Sequence, residues 1–476
     1  LAAGQAAPLL QWPPQNSAKN GRKSMNRKTL AALLVSTLAL ILFGCPPAET
    51  GSGAAGTGDI LVGEYGSLTG GTATFGQSTH QGIQMAVDEI NAAGGIKGRK
   101  IKLFTEDDQS KPEEAANAVT KLISQNNVVA IIGEVASSRS LAAAPICQSN
   151  KVPMISPSST NPKVTQVGNY IFRVCYLDSF QGEALANFVY KQLGLKKAAL
   201  LRDVKNDYSI GLSEFFKNTY TKLGGQIVVD QSYAEGDSDF RAQLTAIRAA
   251  NPDAVFCPGY YTEMGQISIQ ARDLGIKQPF VGGDGWESPK LIGIGGENMN
   301  GSYYSNHYFA DDPAEAVKSF VTNFQKRNGV KPDALAALGY DSMKLLGLAM
   351  SNTANVTKDE IRDEIAKVKD FPGVTGNITI GPDRDAVKSL VVLGIENKQL
   401  KLVSKVTAAG EISAQDGKAA PATSTTTTTT MTTTTTTTTT APATATTGAT
   451  TATAANTTMG INPAAQNPTA TTSTKK

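Results

Sequence analysis

The sequence is poor in the residues on which most enzymes and metalloproteins depend. Among 476 residues there are two histidines, His80 and His307, and four cysteines. Neither histidine is spaced from another His or Cys as metal ligands are, and no G-x-S-x-G nucleophile elbow occurs. No catalytic triad, metal site or cofactor is therefore expected, and each histidine reads as a structural or surface residue. Four cysteines are too few for a disulfide scaffold, and glycine shows no three-residue period, which excludes collagen. An excess of one charge is missing as well. Residues 59–410 carry 36 Lys+Arg against 38 Asp+Glu, and the formal charge of +3 traces to five positive residues in 1–28. A nucleic-acid partner would need a basic footprint to displace counterions, so none is expected. The apolar run at residues 29–44 is 16 residues long, shorter than the roughly 20 that span a bilayer as a helix.

That run belongs to a different device. Residues 25–45 (MNRKTLAALLVSTLALILFGC) have a basic start, an apolar middle and a small residue before Cys45, the layout of a secretory signal. Residues 42–45 (LFGC) resemble the bacterial lipobox, in which the cysteine becomes a lipid-modified first residue, although Phe43 is bulkier than usual there. The expected organisation is a leader over 1–24 with Met25 as the start, a signal over 25–44, and a lipidated Cys45 opening a flexible tether over 45–58. At the other end, 411–476 is a Thr-rich tail, with 28 Thr among the 56 uncharged residues 419–474. It has too few apolar side chains to offset ordering entropy and is expected to be disordered. With Cys45 assigned to lipid, Cys147, Cys175 and Cys257 allow one disulfide at most. Cys257, inside AVFCPG, reads as a small buried apolar residue.

Between the ends, short apolar runs alternate with amphipathic stretches. Strands are expected at 60–64, 100–104, 128–132, 152–156, 198–201, 227–229, 254–257 and 280–281. Helices are expected at 82–93, 112–125, 138–149, 209–223, 240–250 and 262–274. Continuous Val/Ile/Leu strands separated by helices indicate parallel sheets buried on both faces. More than 300 residues of this pattern make two α/β lobes the expected architecture, each a mostly parallel sheet flanked by helices, with a hinge between. Ligands of such folds bind beyond the carboxyl ends of the strands. Four strand-end loops carry suitable chemistry: 133–140 (GEVASSRS), 156–162 (SPSSTNP), 259–265 (GYYTEMG) and 282–287 (GGDGWE). Taken singly, a Ser pair is most often a helix cap and an acid between glycines a turn residue. Residues 237–239 (DSD) read as a polar turn, because the Gly and distal Glu of a calcium loop are missing. Four loops of this kind in one chain point to a binding cleft.

Five stretches make the resemblance specific: DEINAAGGIKGRKIKLFTEDDQSKPEEA (88–115), SPSSTNPKVT (156–165), YIFRVCYLDSFQGEALANFV (170–189), GYYTEMGQ (259–266) and GGDGW (282–286). Together they resemble the leucine/isoleucine/valine-binding receptors, the type I periplasmic binding proteins of branched-chain amino-acid ABC importers. The resemblance runs through nearly all of 59–405. It implies one lobe from 59–177 with about 307–380, and a second from 178–306 with about 381–408. By the same resemblance, Ser137 holds a ligand carboxylate, and Ser158 and Thr160 clamp carboxylate and ammonium. Tyr260 reaches the head group, and Asp284 pairs with the ammonium where these receptors usually have Glu. Phe75 covers the ligand side chain, Tyr208 closes the pocket, and Asp178 sits at the first crossover, where the lobes hinge. Ala136 replaces a cysteine that some relatives use in a disulfide. Glu134 has no role that the residues suggest.

A zwitterion needs fixed donors at one end and a carboxylate at the other, since burying either charge unpaired is costly. The expected function is thus an extracytoplasmic substrate-binding lipoprotein, a monomer. It would sit in the cell envelope, tethered to the membrane through lipid on Cys45, and present a captured amino acid to ABC permease subunits. The shorter Asp284 and the adjacent Trp286 leave room for a short amide, urea or aromatic acid instead. Two further classes remain: a receptor that signals to a regulator, since closure around a ligand is common to both, and a surface adhesin, suggested by the Thr-rich tail alone.

Overall fold

The computed structural model describes residues 58–414; the signal, Cys45 and the Thr-rich tail beyond 414 lie outside them. Two sheets organise the chain. The first contains β1 (Ile60–Gly66), β2 (Ile101–Asp107), β3 (Ala130–Ile132), β4 (Met154–Ser156) and β5 (Ile171–Arg173), all parallel, in the order β2-β1-β3-β4-β5. Its crossovers are α1 (Ala73–Ala92), α2 (Pro112–Ser124), α3 (Ser137–Ser149) and the single turn α4 (Lys163–Gln166). The central strands β3 and β4 are buried at every residue, as helices on both faces of a parallel sheet require.

After a crossover the chain builds a second sheet around α5 (Asp178–Asn187), β6 (Lys197–Asp203), α6 (Asp207–Lys222), β7 (Gln226–Tyr233), α7 (Arg241–Ala250), β8 (Ala254–Phe256), α8 (Tyr261–Asp273), β9 (Phe280–Gly282), α9 (Pro289–Gly295) and β10 (Tyr303–Asn306). Its parallel part runs β7-β6-β8-β9-β10. The chain then returns to the first sheet with α10 (Glu315–Asn328), α11 (Ala334–Asn352) and α12 (Lys358–Ile365). A small antiparallel sheet follows, β11 (Phe371–Gly373), β12 (Gly376–Ile380) and β13 (Ala386–Val387). Finally β14 (Leu390–Glu396), β15 (Gln399–Val406) and β16 (Ile412–Ala414) extend the second sheet antiparallel beside β10. The two α/β halves carry the two-lobed, mostly parallel architecture expected from the alternating pattern; the antiparallel edge was not foreseen.

Helix α1 starts at Ala73, well before the apolar period at 82–93. Its first half buries Thr74, Phe75, Gly76 and Thr79, of which Phe75 alone is large and apolar, too few for an amphipathic signal. Further along, α11 crosses closely: a Cβ at Gly82 would lie 1.9 Å from the Ala336 carbonyl oxygen. Cys147, Cys175 and Cys257 are free and buried, so the described cysteines form no disulfide. Cys257 packs in the main apolar core as expected. Among the described residues, no helix is long and apolar enough to cross a membrane.

Candidate functional site

Both parallel sheets repeat one strand order, with the connection reversing direction beside the first-formed strand: between β1 and β3 in one, between β6 and β8 in the other. Such a switch point leaves a crevice at the carboxyl ends of its strands. The two crevices face each other. Phe75 follows β1, Val135 follows β3, and Ser158 and Thr160 follow β4; opposite them Tyr208 follows β6, Tyr260 follows β8, and Asp284 and Gly285 follow β9. These eight residues line one narrow cavity.

Its walls are aromatic. The Tyr208 and Tyr260 rings stack 5.7 Å apart, and Phe75 meets Tyr260 edge-on at 5.2 Å, joining the two halves. Tyr208 is held by sequence-local means: Asn206 caps α6, accepting from the backbone N–H groups of Tyr208 and Ser209. The Tyr208 hydroxyl in turn accepts from the Gly285 N–H at 3.0 Å.

One end of the cavity is acidic. Asp284 is buried; its Oδ2 lies 2.9 Å from His307 Nε2, while Oδ1 has no hydrogen-bond partner among the described residues. Asp178, at the start of α5, is also fully buried. Gln181 Nε2 donates to its Oδ1 at 3.1 Å, and its Oδ2 is unpartnered among the described residues, like Thr160 Oγ1. Burial, then the nearby Asp284 carboxylate, pushes the Asp178 carboxyl well above its ordinary value. Gln181 ties the two acids together, because its Oε1 accepts from the Asp284 backbone N–H at 2.9 Å. A carboxylate oxygen without a donor, in a buried cleft, is an unmet demand for a hydrogen-bonding cation.

Six of the nine residues picked out in the sequence thus line one cavity: Phe75, Ser158, Thr160, Tyr208, Tyr260 and Asp284. Asp178 stands behind Asp284 rather than in the wall. Ser137, the first residue of α3, is buried with its Oγ accepting from the Asn161 N–H at 3.2 Å, and Val135 takes the place in the wall. Trp286 turns away: its indole N–H donates to the Cys257 carbonyl at 3.0 Å, and the ring packs under Gly282. Sequence reasoning missed Gln181 and treated His307 as incidental. Lone residues of those types carry no pattern; only the strand ends that converge here reveal them.

Glu134 also acquires a role. Its Oε1 accepts from the Ser67 N–H and lies 2.9 Å from Ser67 Oγ, and its Oε2 accepts from the Ala136 N–H, with Arg139 Nε 3.2 Å away. This buried pair braces the loop after β3. Asp108 joins through Ser67 Oγ at 2.7 Å, and burial together with Glu134 pushes its carboxyl up to about 8. The halves are in contact around the cavity. Ser138 Oγ donates to Asp207 Oδ2 and accepts from the Asp207 N–H, each at 2.9 Å; Asn161 Nδ2 donates to the Asp207 carbonyl at 2.8 Å; Thr74 and Ser288 hydroxyls meet at 2.9 Å. No cluster of His, Cys, Asp or Glu suited to a metal occurs among the described residues.

Comparison with known proteins agrees with this geometry. A family model described as "Periplasmic binding protein" matches residues 59–401. The Leu/Ile/Val-binding protein BraC3 of Rhizobium johnstonii is 30% identical, over 76% of this chain and 95% of that protein. Among solved structures, the leucine-binding protein LivK of Thermotoga maritima is 41% identical with a TM-score of 0.70, covering 73% of this chain and 99% of that one. The branched-chain amino acid transporter substrate-binding protein LivJ of Streptococcus pneumoniae, in complex with isoleucine, is 35% identical with a TM-score of 0.69, covering 72% and 98%.

Proposed function

Since the chain belongs to the periplasmic binding protein family, we propose that it is the non-catalytic, extracytoplasmic substrate-binding component of an ABC importer, capturing a branched-chain amino acid between its lobes. The observation that carries the amine half of this reading is the buried, unpartnered Oδ1 of Asp284. The lining residues include this one acid and no Lys or Arg, which disfavours an aromatic acid lacking an amine. At the other end, the Ser158 and Thr160 hydroxyls and the start of α3 supply donors for a carboxylate. The ligand binds first to the half bearing Ser158 and Thr160; the half bearing Tyr208, Tyr260 and Asp284 then swings in about crossovers near Asp178, excludes water and strengthens each charge contact. The closed form is the state that ABC permease subunits recognise. A lipid on Cys45 would hold the receptor at the membrane.

The test is a titration with L-leucine, L-isoleucine, L-valine, acetamide, urea and benzoate. Trp12 and Trp286 are the two tryptophans, so a chain beginning at Cys45 reports from Trp286 alone, in the turn that carries Asp284. Saturable fluorescence change and thermal stabilisation by the branched-chain amino acids are expected. Saturation by acetamide or urea alone would replace the ligand class, and no response to any of the six would remove the receptor reading.

A further inference from the structure

We propose that His307 is the positioning residue of the cleft acid: it donates Nε2–H to Asp284 Oδ2 and so leaves Oδ1 aimed at the ligand's ammonium. This rests on the amine-binding reading above.

His307 follows β10, and its side chain is 1% exposed. It stacks on Tyr176 with centroids 3.9 Å apart and planes 17° from parallel, so the imidazole cannot swing. Nε2 is 2.9 Å from Asp284 Oδ2, and Nδ1 has no partner among the described residues. An ionised carboxylate only accepts, so the nitrogen facing it must carry the proton. A neutral ring then has a bare lone pair at Nδ1, a cheaper orphan than a buried N–H would be.

The charged and titratable groups around the ring are few. Asp284 faces it from the turn after β9 with Asp178 beyond, Tyr176 lies against it, and Lys388 approaches from the segment before β14. Burial lowers the His307 pKa, against the upward pull of Asp284 and with a smaller downward push from Lys388. The imidazole is thus neutral at pH 7 and brings no positive charge to compete with an ammonium for Asp284. The acid is fixed from both sides, its side chain by His307 and its backbone N–H by Gln181. His307 itself does not line the cavity; it acts through Asp284.

A linkage follows. Protonating His307 would place an imidazolium against the carboxylate that the ligand needs, so proton and ligand compete. Affinity should fall as pH drops through the lowered His307 pKa, which lies below the ordinary histidine value of about 6.5.

Two measurements test this. The chain has two histidines, so 15N-histidine NMR of the full chain shows two imidazoles, separated by the spectrum of His80→Ala. His307 is expected as the neutral Nε2–H tautomer at pH 7 without added ligand. An Nδ1–H tautomer or an imidazolium would overturn the proposal, whether or not an amino acid binds. The second measurement is calorimetric Kd for L-isoleucine between pH 5 and 8. His307→Ala should bind about 10- to 100-fold more weakly at pH 8, the worth of a hydrogen bond to a charged group. His307→Gln, which keeps a donor, should recover most of that loss and show a shallower weakening toward pH 5 than the native chain. Equal losses in both variants, with pH profiles parallel to the native one, would reduce His307 to packing. If L-isoleucine fails to bind the native chain, the amino-acid reading falls, and the tautomer still decides the role of His307.

Discussion

Asp284 holds one oxygen bonded to His307 and one without a partner among the described residues, and under the proposed function this asymmetry makes it a receptor group rather than a structural one. Asp284→Asn keeps the shape but presents the ligand with an amide that has no charge to offer. Isoleucine affinity should fall at least about 30-fold, in line with the 2–5 kcal/mol typical when one partner of a buried charge pair is lost; the melting temperature should barely change. Calorimetry and thermal denaturation on the same sample check both halves. Asp108 makes the opposite case. Its Oδ1 accepts from Ser67 Oγ and the Ser110 N–H, its Oδ2 is orphaned among the described residues, and its carboxyl sits near 8 in the folded chain. A carboxyl raised above its unfolded value of about 3.9 makes the folded state bind more protons than the unfolded one, so its contribution to stability declines as pH rises from about 4 to 8. Asp108→Asn keeps both accepted bonds and removes that charge. Its melting temperature should exceed the native one increasingly from pH 5 to pH 8, and a constant difference would contradict the assignment.

At the scale of elements, the α1–α11 crossing sets how deeply Phe75 is planted in the cleft. Gly82 and Gly339 let the backbones touch: a Cβ at Gly339 would come within 2.4 Å of the Thr79 carbonyl oxygen. Backbone cannot yield as a flexible side chain can, so Gly82→Ala should destabilise by about 1–3 kcal/mol, the usual cost of overpacking, read from urea denaturation. The period of apolar residues located six of the twelve helices among the described residues (α1, α2, α3, α6, α7 and α8), because an amphipathic face repeats every 3.6 residues whatever it packs against. It left α4, α5 and α9–α12 unplaced, and it missed the first half of α1, where Phe75 is the one large apolar residue among the buried ones. The antiparallel strands β14–β16 went unplaced for a different reason. Their apolar runs match those of parallel strands, and direction depends on where the chain comes from.

For the whole molecule, the proposed function makes closure the working motion, and the rim contacts state its terms. The Ser138–Asp207 pair bridges the halves by two hydrogen bonds that water replaces when they part. Ser138→Ala should therefore weaken isoleucine binding by roughly 1–2 kcal/mol without altering unfolding of the ligand-free protein. Small-angle scattering should show a smaller ligand-induced contraction at equal ligand concentration. Unchanged affinity would mean that the pair forms equally in both states.

The parallel parts of the two sheets follow from sequence alone, since short, mostly apolar strands between helices are buried on both faces in a parallel sheet. So do most of the cavity-lining residues, because ligand chemistry collects at strand ends and a resemblance over some 340 residues fixes which ends. Tertiary structure decided the rest. Ser137 and Trp286 lie next to the lining residues in the chain, yet their hydrogen bonds point them elsewhere. His307 lies far in sequence from the α5 pair Asp178 and Gln181, and only the fold brings them together around Asp284. No local pattern encodes that meeting: which oxygen of Asp284 remains free depends on a partner 23 residues away, and on the fold that brings it near.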